Sequence, residues 1–284
     1  MAQVIDGKAL ALSIKSGLRT LTDEMKIKYG RTPCLAVVIV GDDPASRSYV
    51  RGKVKAAEFT GIESILIDLP ETVTEKRLLD EIAKLNSDGS IDGILVQLPL
   101  PAHIDKAKII NGISIDKDVD GFHPQNVAKL WLGQKCTIPC TPRGIMAMID
   151  STGTEIQGKR AVVIGRSDIV GKPIAKLLLD RNATVTLAHS RTSDLAAVCR
   201  EADILVVAAG CPGLVNGEMV KEGALVIDVG ISHTDAGLRG DVDFESVSPK
   251  AAFISPVPGG VGPMTIAMLM ANTVERALDR WQKD

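Results

Sequence analysis

Tyr49 and Lys53 stand four residues apart in PASRSYVRGKVKAAEFTG, a spacing that sets a phenol and an amine on one helix face, one turn from each other. Such a pair can position and transfer protons. The plain alternative is a solvated lysine beside a tyrosine that fills a half-buried gap. Gln97 interrupts the apolar run of DGILVQLPLP just before two prolines, at the carboxyl end of a strand, where open α/β sheets bind ligands. A buried amide there needs partners, either a substrate or a loop backbone. A polar loop, DKDVDGFHP from Asp116 to Pro124, carries three carboxylates, with Asp120-Gly121 reading as a turn. It lacks the later ligands and terminal glutamate of an EF-hand, and its plain reading is a solvated turn or a helix cap.

A second chemical stretch is RAVVIGRSDIVGKP, from Arg160 to Pro173. Its β-branched run, the turn at Gly165 and the close-packing Gly171 read as strand, loop and helix, and the first N–H groups of such a helix suit a phosphate. The pattern departs from G-x-G-x-x-G because Ser167 takes the second glycine's place. The next strand, Thr184 to Ala188, runs into His189-Ser190-Arg191-Thr192, where an NAD site would carry Asp or Glu. A hydroxyl and a cation stand there instead, with Arg166 on the glycine loop, and these suit a 2′-phosphate. The cofactor expected is NADP.

Several elements must position these groups. An amphipathic helix over 7–29 carries Leu10, Ile14, Leu18, Leu21 and Met25 on one stripe, read as core. CLAVVIVG, 34–41, is a strand buried on both faces, and the helix after Pro44 should end at a left-handed Gly61. ESILIDLP is a further strand, TEKRLLDEIAKLN a helix, and 91–98 another strand. IPCTPRG, 138–144, reads as a crossing between domains, followed by a short helix over GIMAMIDSTG. Strand signals at Thr184, Ala202 and Gly223 alternate with helices, which predicts a parallel sheet with right-handed crossovers. SPVPGGVGPMT, 255–265, is backbone approaching a ligand or another segment, with Pro258 and Gly259 its candidate substrate contacts. A last helix from Met264 packs through Ile266, Leu269, Met270, Thr273 and Ala277 and returns to the first domain.

The 284 residues are 45% hydrophobic, enough for two domains, and a net charge of −2 without a long basic run argues against nucleic acid. Five cysteines form no disulfide framework, and Cys136 and Cys140 lack the companions of a zinc site, so no metal is expected. The opening MAQVIDGKAL is no signal peptide and no segment reads as membrane-spanning, which makes the cytoplasm the default.

Taken together, PASRSYVRGK, DGILVQLPLP, KDVDGFHP, PCTPRG, GRSDIVGKP and PVPGGVGPMT occur in the order of a known family, which the whole chain resembles. It is the bifunctional methylenetetrahydrofolate dehydrogenase/methenyltetrahydrofolate cyclohydrolase family. The resemblance implies an α/β protein of two domains. One is an N-terminal α/β folate-binding catalytic domain over 1–139, joined by the C-terminal helix 264–284. The other is a C-terminal Rossmann-type NADP domain with a parallel sheet over 140–263. Lys53 then matches the central catalytic group, Tyr49 a residue stacking near the folate, and Gln97 the partner of the lysine. Asp120 matches the residue holding the amino-pyrimidine edge of the pterin. Gly165, Arg166, Ser167, Ser190 and Arg191 match the NADP region, and Ile231 a backbone contact to the nicotinamide half.

The implied reactions are hydride transfer from 5,10-methylenetetrahydrofolate to NADP and hydrolysis of the methenyl product to 10-formyltetrahydrofolate, with Lys53 moving protons in the second. A homodimer through the cofactor domain, a place in one-carbon metabolism and purine biosynthesis, and no fused synthetase are further expectations. Two readings compete: a dehydrogenase of the shikimate or amino-acid type on the same cofactor half, and a noncatalytic module that senses NADP and pairs with a partner.

Overall fold

The computed structural model describes residues 1–234 and 237–282. The chain opens with β1 (Gln3–Val4) and α1 (Gly7–Tyr29). It continues through β2 (Cys34–Val40), α2 (Pro44–Thr60), β3 (Glu63–Leu69), α3 (Glu75–Ser87) and β4 (Gly93–Val96) to three helices, α4 (Lys106–Gly112), α5 (Pro124–Trp131) and α6 (Cys140–Ser151). Then come β5 (Arg160–Ile164), α7 (Gly171–Asp180), β6 (Thr184–Ala188), α8 (Leu195–Arg200), β7 (Ile204–Val207) and β8 (Leu225–Asp228). Strands β9 (Ser232–Thr234) and β10 (Gly237–Arg239), α9 (Phe244–Val247), β11 (Phe253–Ile254) and α10 (Val261–Trp281) complete it.

Two compact units result, one of Leu12–Cys140 with the chain from Ile266 onward, the other of Met1–Ala11 with Thr141–Thr265. In the first unit β2 is central, paired in parallel with β3 and β4, and all seven of its side chains are buried. That is why CLAVVIV reads as a continuous apolar run: each aliphatic side chain removed from water contributes about 1.5–3 kcal/mol. Helix α2 starts where the Asp43 carboxylate accepts the Ser46 N–H at 2.8 Å and ends at Gly61, whose φ is 71°. Asp92, before β4, is fully buried; it accepts from Cys34 N at 3.1 Å, Arg280 Nη1 at 2.8 Å and Trp281 Nε1 at 3.0 Å, and so fixes the end of α10 to the strand.

The second unit holds a six-stranded, wholly parallel sheet in the order β1-β11-β8-β7-β5-β6. Counted from β5 this is 2-1-3-4-5 with β1 added at the far edge, so the direction of winding reverses between β5 and β7. Ligands of open α/β sheets bind at that reversal, beyond the carboxyl ends of the strands.

Residues 1–11, expected in the first domain, stand instead with this sheet: Gln3 pairs with Phe253 and Val4 with Ile254, and Ile5 N donates to Ile254 O at 2.9 Å. A two-residue strand is too short to show any period. The crossing expected over 138–144 is not a loop throughout, because α6 already begins at Cys140 with Pro142 in its first turn, where a missing N–H costs nothing. The α1 stripe is fully buried only at Met25, and Leu10, Ile14, Leu18 and Leu21 are half-buried. Helices α4 and α5 and the antiparallel pair β9–β10 had no distinct sequence signal. Lys283 and Asp284, the end of the expected 264–284 helix, lie outside the described residues.

Candidate functional site

In the first unit Lys53 Nζ donates to Gln97 Oε1 at 2.9 Å. Helix α2 sets the lysine and β4 sets the glutamine, whose backbone N–H continues the sheet by donating to Val38 O at 2.8 Å. Gln97 Nε2 donates to Leu98 O at 2.6 Å, so the amide's nitrogen braces the loop backbone while its oxygen holds the lysine. That is the only hydrogen bond of the ammonium among the described residues, and two of its three N–H groups remain for a ligand. One turn earlier on α2, Tyr49 is 41% exposed, a flat aromatic surface open to a partner.

The three carboxylates of the 116–124 loop separate. Asp116 is exposed. Asp118 is buried and accepts from Gly121 N at 3.0 Å, His123 N at 2.9 Å and Asn126 Nδ2 at 2.8 Å, which makes it the internal frame of the loop. Lys117 is buried as well, donating to Leu85 O at 2.8 Å and Asp88 O at 2.6 Å. Asp120 is the one left free to act: its hydrogen-bond partner is the weak donor Cys140 Sγ at 3.9 Å. Burial pushes the Asp120 carboxyl up to about 6, the nearby Lys53 charge pulls against that, Asp118 adds to the rise, and Cys140 opposes it. It lines a small hollow whose other walls include Ile94, Val96, Leu98, Ile113 and Phe122.

Two residues behind Asp120 had not been singled out from the sequence for this place. Cys140 Sγ also donates to Val119 O at 3.4 Å, and Asn272 Nδ2 donates to Val119 O at 2.8 Å and Ile138 O at 3.0 Å, fixing the peptide that carries Asp120. The available signal was Asn272 itself, a buried amide inside the apolar run of α10.

In the second unit Gly165 follows β5 with φ 116°, and a Cβ there would overlap Ala208 O; a Cβ on Gly171 would in turn overlap Gly165 O. Backbone approaches backbone at the sheet's reversal, a cradle that a side chain would fill. Ser167 Oγ accepts from Val170 N at 3.2 Å and Gly171 N at 3.3 Å. These opening amides, expected to face a phosphate, are thus used inside the loop, while the Ser167 O–H is left to donate. After β6, His189 N donates to Thr192 Oγ1 at 2.8 Å and Arg191 N to His189 Nδ1 at 3.1 Å, a tight turn that carries Ser190 and Arg191 exposed. Arg166 is exposed too. Among the described residues neither guanidinium has an ion-pair partner. Two free cations and a hydroxyl, with no carboxylate at the end of β6, fit a 2′-phosphate rather than a bare ribose.

Ile231, after β8, is 41% exposed; Pro258 is exposed and Gly259 half-buried in the expected 255–265 loop, which ends at Gly260 because α10 already begins at Val261. The crowding of that loop has a structural cause, since a Cβ on Gly7 would overlap Gly260 O. Among the described residues no group of three or more His, Cys, Asp or Glu could hold a metal ion, and no helix is long and apolar enough to cross a membrane.

Comparison with known proteins covers nearly the whole chain. Residues 5–120 match the family model described as tetrahydrofolate dehydrogenase/cyclohydrolase, catalytic domain, and residues 139–281 match its NAD(P)-binding domain. The bifunctional protein FolD of Listeria innocua is 58% identical over 283 residues, 99% of each chain. The crystal structure of the bifunctional enzyme FolD, methylenetetrahydrofolate dehydrogenase/cyclohydrolase, from Campylobacter jejuni superposes with a TM-score of 0.97 at 51% identity, covering 99% of this chain and 100% of that one. The Trypanosoma brucei N5,N10-methylenetetrahydrofolate dehydrogenase-cyclohydrolase, solved with NADP and an inhibitor, gives 0.93 at 43% identity and 98% of each chain.

Proposed function

This chain belongs to the tetrahydrofolate dehydrogenase/cyclohydrolase family, and from that premise we propose that it runs both reactions of the name. It oxidises 5,10-methylenetetrahydrofolate with NADP to the 5,10-methenyl compound and hydrolyses that cation to 10-formyltetrahydrofolate. The observation that carries the reading is the Lys53–Gln97 hydrogen bond, a proton-handling group held at the carboxyl end of a parallel sheet in the same unit as an under-bonded carboxylate.

The roles follow from the chemistry of each group. Asp120 receives the amino-pyrimidine edge of the pterin: two N–H donors side by side match one carboxylate and supply the partners it otherwise lacks. The exposed Tyr49 ring gives the folate a flat surface to lie against. Oxidation asks the protein chiefly for alignment of the one-carbon bridge, and NADP, when bound, accepts the hydride. Arg166, Ser190 and Arg191 hold its 2′-phosphate, the Ser167 hydroxyl donates to a phosphate oxygen, and the Gly165 cradle admits its backbone. Exposed Ile231 offers a main-chain contact to its nicotinamide half, and Pro258 and Gly259 are substrate contacts in the same reading. In the hydrolysis the Lys53 amine takes a proton from the water adding to the methenyl carbon and returns one to the ring nitrogen released on opening, while Gln97 Oε1 keeps it in place. One-carbon supply to purine biosynthesis, a cytoplasmic setting and a homodimer belong to the same reading and rest on family membership alone.

The test is a spectrophotometric assay with 5,10-methylenetetrahydrofolate and NADP that follows NADPH and the methenyl compound at separate wavelengths. NADPH formation without lasting methenyl product is expected. Accumulating methenyl product would remove the cyclohydrolase half, and no NADPH would overturn the assignment.

A further inference from the structure

Two aspartates of the second unit lie outside every role given so far. Asp228 ends β8 and is 3% exposed; Asp241 is fully buried, thirteen residues on. Asp228 Oδ1 accepts from Gly230 N at 3.0 Å and Asp241 N at 2.9 Å, and Oδ2 accepts from Val242 N at 3.0 Å. Asp241 Oδ2 accepts from Ala209 N at 2.7 Å and Gly210 N at 2.8 Å, the first amides beyond Ala208, while its Oδ1 is buried without a hydrogen-bond partner.

The two glycines explain how a bare carboxylate oxygen is tolerated. A Cβ on Gly230 would overlap Asp241 Oδ1, and a Cβ on Gly240 would overlap Asp228 Oδ2. Each carboxylate therefore lies against the Cα of the glycine beside the other, at a distance only a Cα–H can fill, and a weak Cα–H···O contact takes the place of the missing bond. Asp228 N donates to Ser255 Oγ at 2.8 Å, so the arrangement also reaches the start of the loop before α10. Burial lifts the Asp228 carboxyl to about 6 in spite of its three backbone donors, with the Asp241 charge adding to the rise, as expected of two carboxylates held this close.

We propose that Asp228 and Asp241 form a reciprocal clasp with Gly240 and Gly230, and that Asp241 is a positioning residue for cofactor binding. The clasp sets the 208–210 backbone against the Gly165 loop at the sheet's reversal and, through Gly230, the main chain of Ile231. This rests on the NADP reading above. Gly165 meets Ala208 O, and Asp241 holds the next two amides, so one wall of the expected cofactor crevice is placed by a side chain that need not touch the cofactor.

Because the hydrolysis needs no NADP, the chain carries its own control. In Asp241→Ala the Kd for NADP measured by calorimetry should rise about tenfold or more, and the Ala209 and Gly210 amides should exchange hydrogen faster, while the cyclohydrolase kcat stays within about twofold. Asp241→Asn, which keeps an acceptor for those amides, should raise Kd only about threefold. Parallel loss of both activities with a collapsed Tm in Asp241→Asn would reduce the clasp to general stability and overturn the proposal. So would an unchanged Kd in Asp241→Ala or, should that variant not fold, unchanged Kd and exchange in Asp241→Asn. A wild-type chain that fails to bind NADP would instead overturn the reading on which the proposal stands.

Discussion

Asp120 and Asp228 are both lifted to about 6 by burial, yet they are built in opposite ways. Asp228 receives three backbone N–H donors, its neighbouring glycines leave no room for anything else, and its hydrogen-bonding capacity is spent within the unit. Asp120 has one distant thiol donor and faces a hollow. A raised pKa marks burial in both cases; the inventory of donors separates a carboxylate that organises its own backbone from one waiting for a ligand. A related contrast divides the units, since Lys53 keeps two N–H groups unused beside Asp120, whereas the groups of the second unit offered to the cofactor, Arg166, Ser190 and Arg191, sit exposed on its surface.

The sharpest way to break this comparison is Lys53→Met. Cyclohydrolase activity should fall about 10³-fold or more, as expected on losing an acid–base group, with folate binding measurable and the KM for NADP within about twofold. Unchanged hydrolysis would refute the role of Lys53. Next, Asp228→Ala and Asp120→Ala should move stability in opposite directions at pH 7.5. The first strands three buried N–H donors and should cost about 3 kcal/mol in a denaturant titration. The second removes an under-bonded, half-buried carboxylate and should leave Tm unchanged or higher while raising the KM for folate; equal destabilisation would erase the distinction.

Replacing Arg166 and Arg191 by Ala should raise the KM for NADP about 10–100-fold and that for NAD far less, since only the 2′-phosphate loses its partners. Equal effects would sink the assignment. The smallest effect is on pH. Both carboxyls hold a proton in the folded state at pH values where the unfolded chain, with its ordinary carboxylate, has lost it. Stability should therefore fall as pH rises from about 4 to 6 and level off above, a change on the order of 1 kcal/mol for each group. Tm measured between about pH 4 and 7 should show this slope, reduced in either alanine variant.

How far the sequence reached can be judged at single residues. The helix that sets Tyr49 and Lys53 on one face, the strand that leads to Gln97 and the strand-loop-helix around Gly165 were legible because each depends on local spacing, whereas the roles given to these side chains came from the family resemblance. In KDVDG the sequence could not say that Lys117 and Asp118 frame the loop while Asp120 faces outward, because alternation along a chain does not reveal which carboxylate the backbone amides will take. Pro142 looked like a break and proved to be a first-turn proline.

What the sequence determined by itself is the alternation of strands and helices, the parallel sheets and the chemical types at the strand ends, since hydrophobic period and turn chemistry are properties of a few neighbouring residues. Only the tertiary structure decided that Gln3 and Val4 extend the second sheet, that Asn272 and Cys140 stand behind Asp120, and that Asp228 and Asp241 lock through each other's glycines. These depend on distances between segments far apart in the chain, and such distances exist only once the sheets have been assembled.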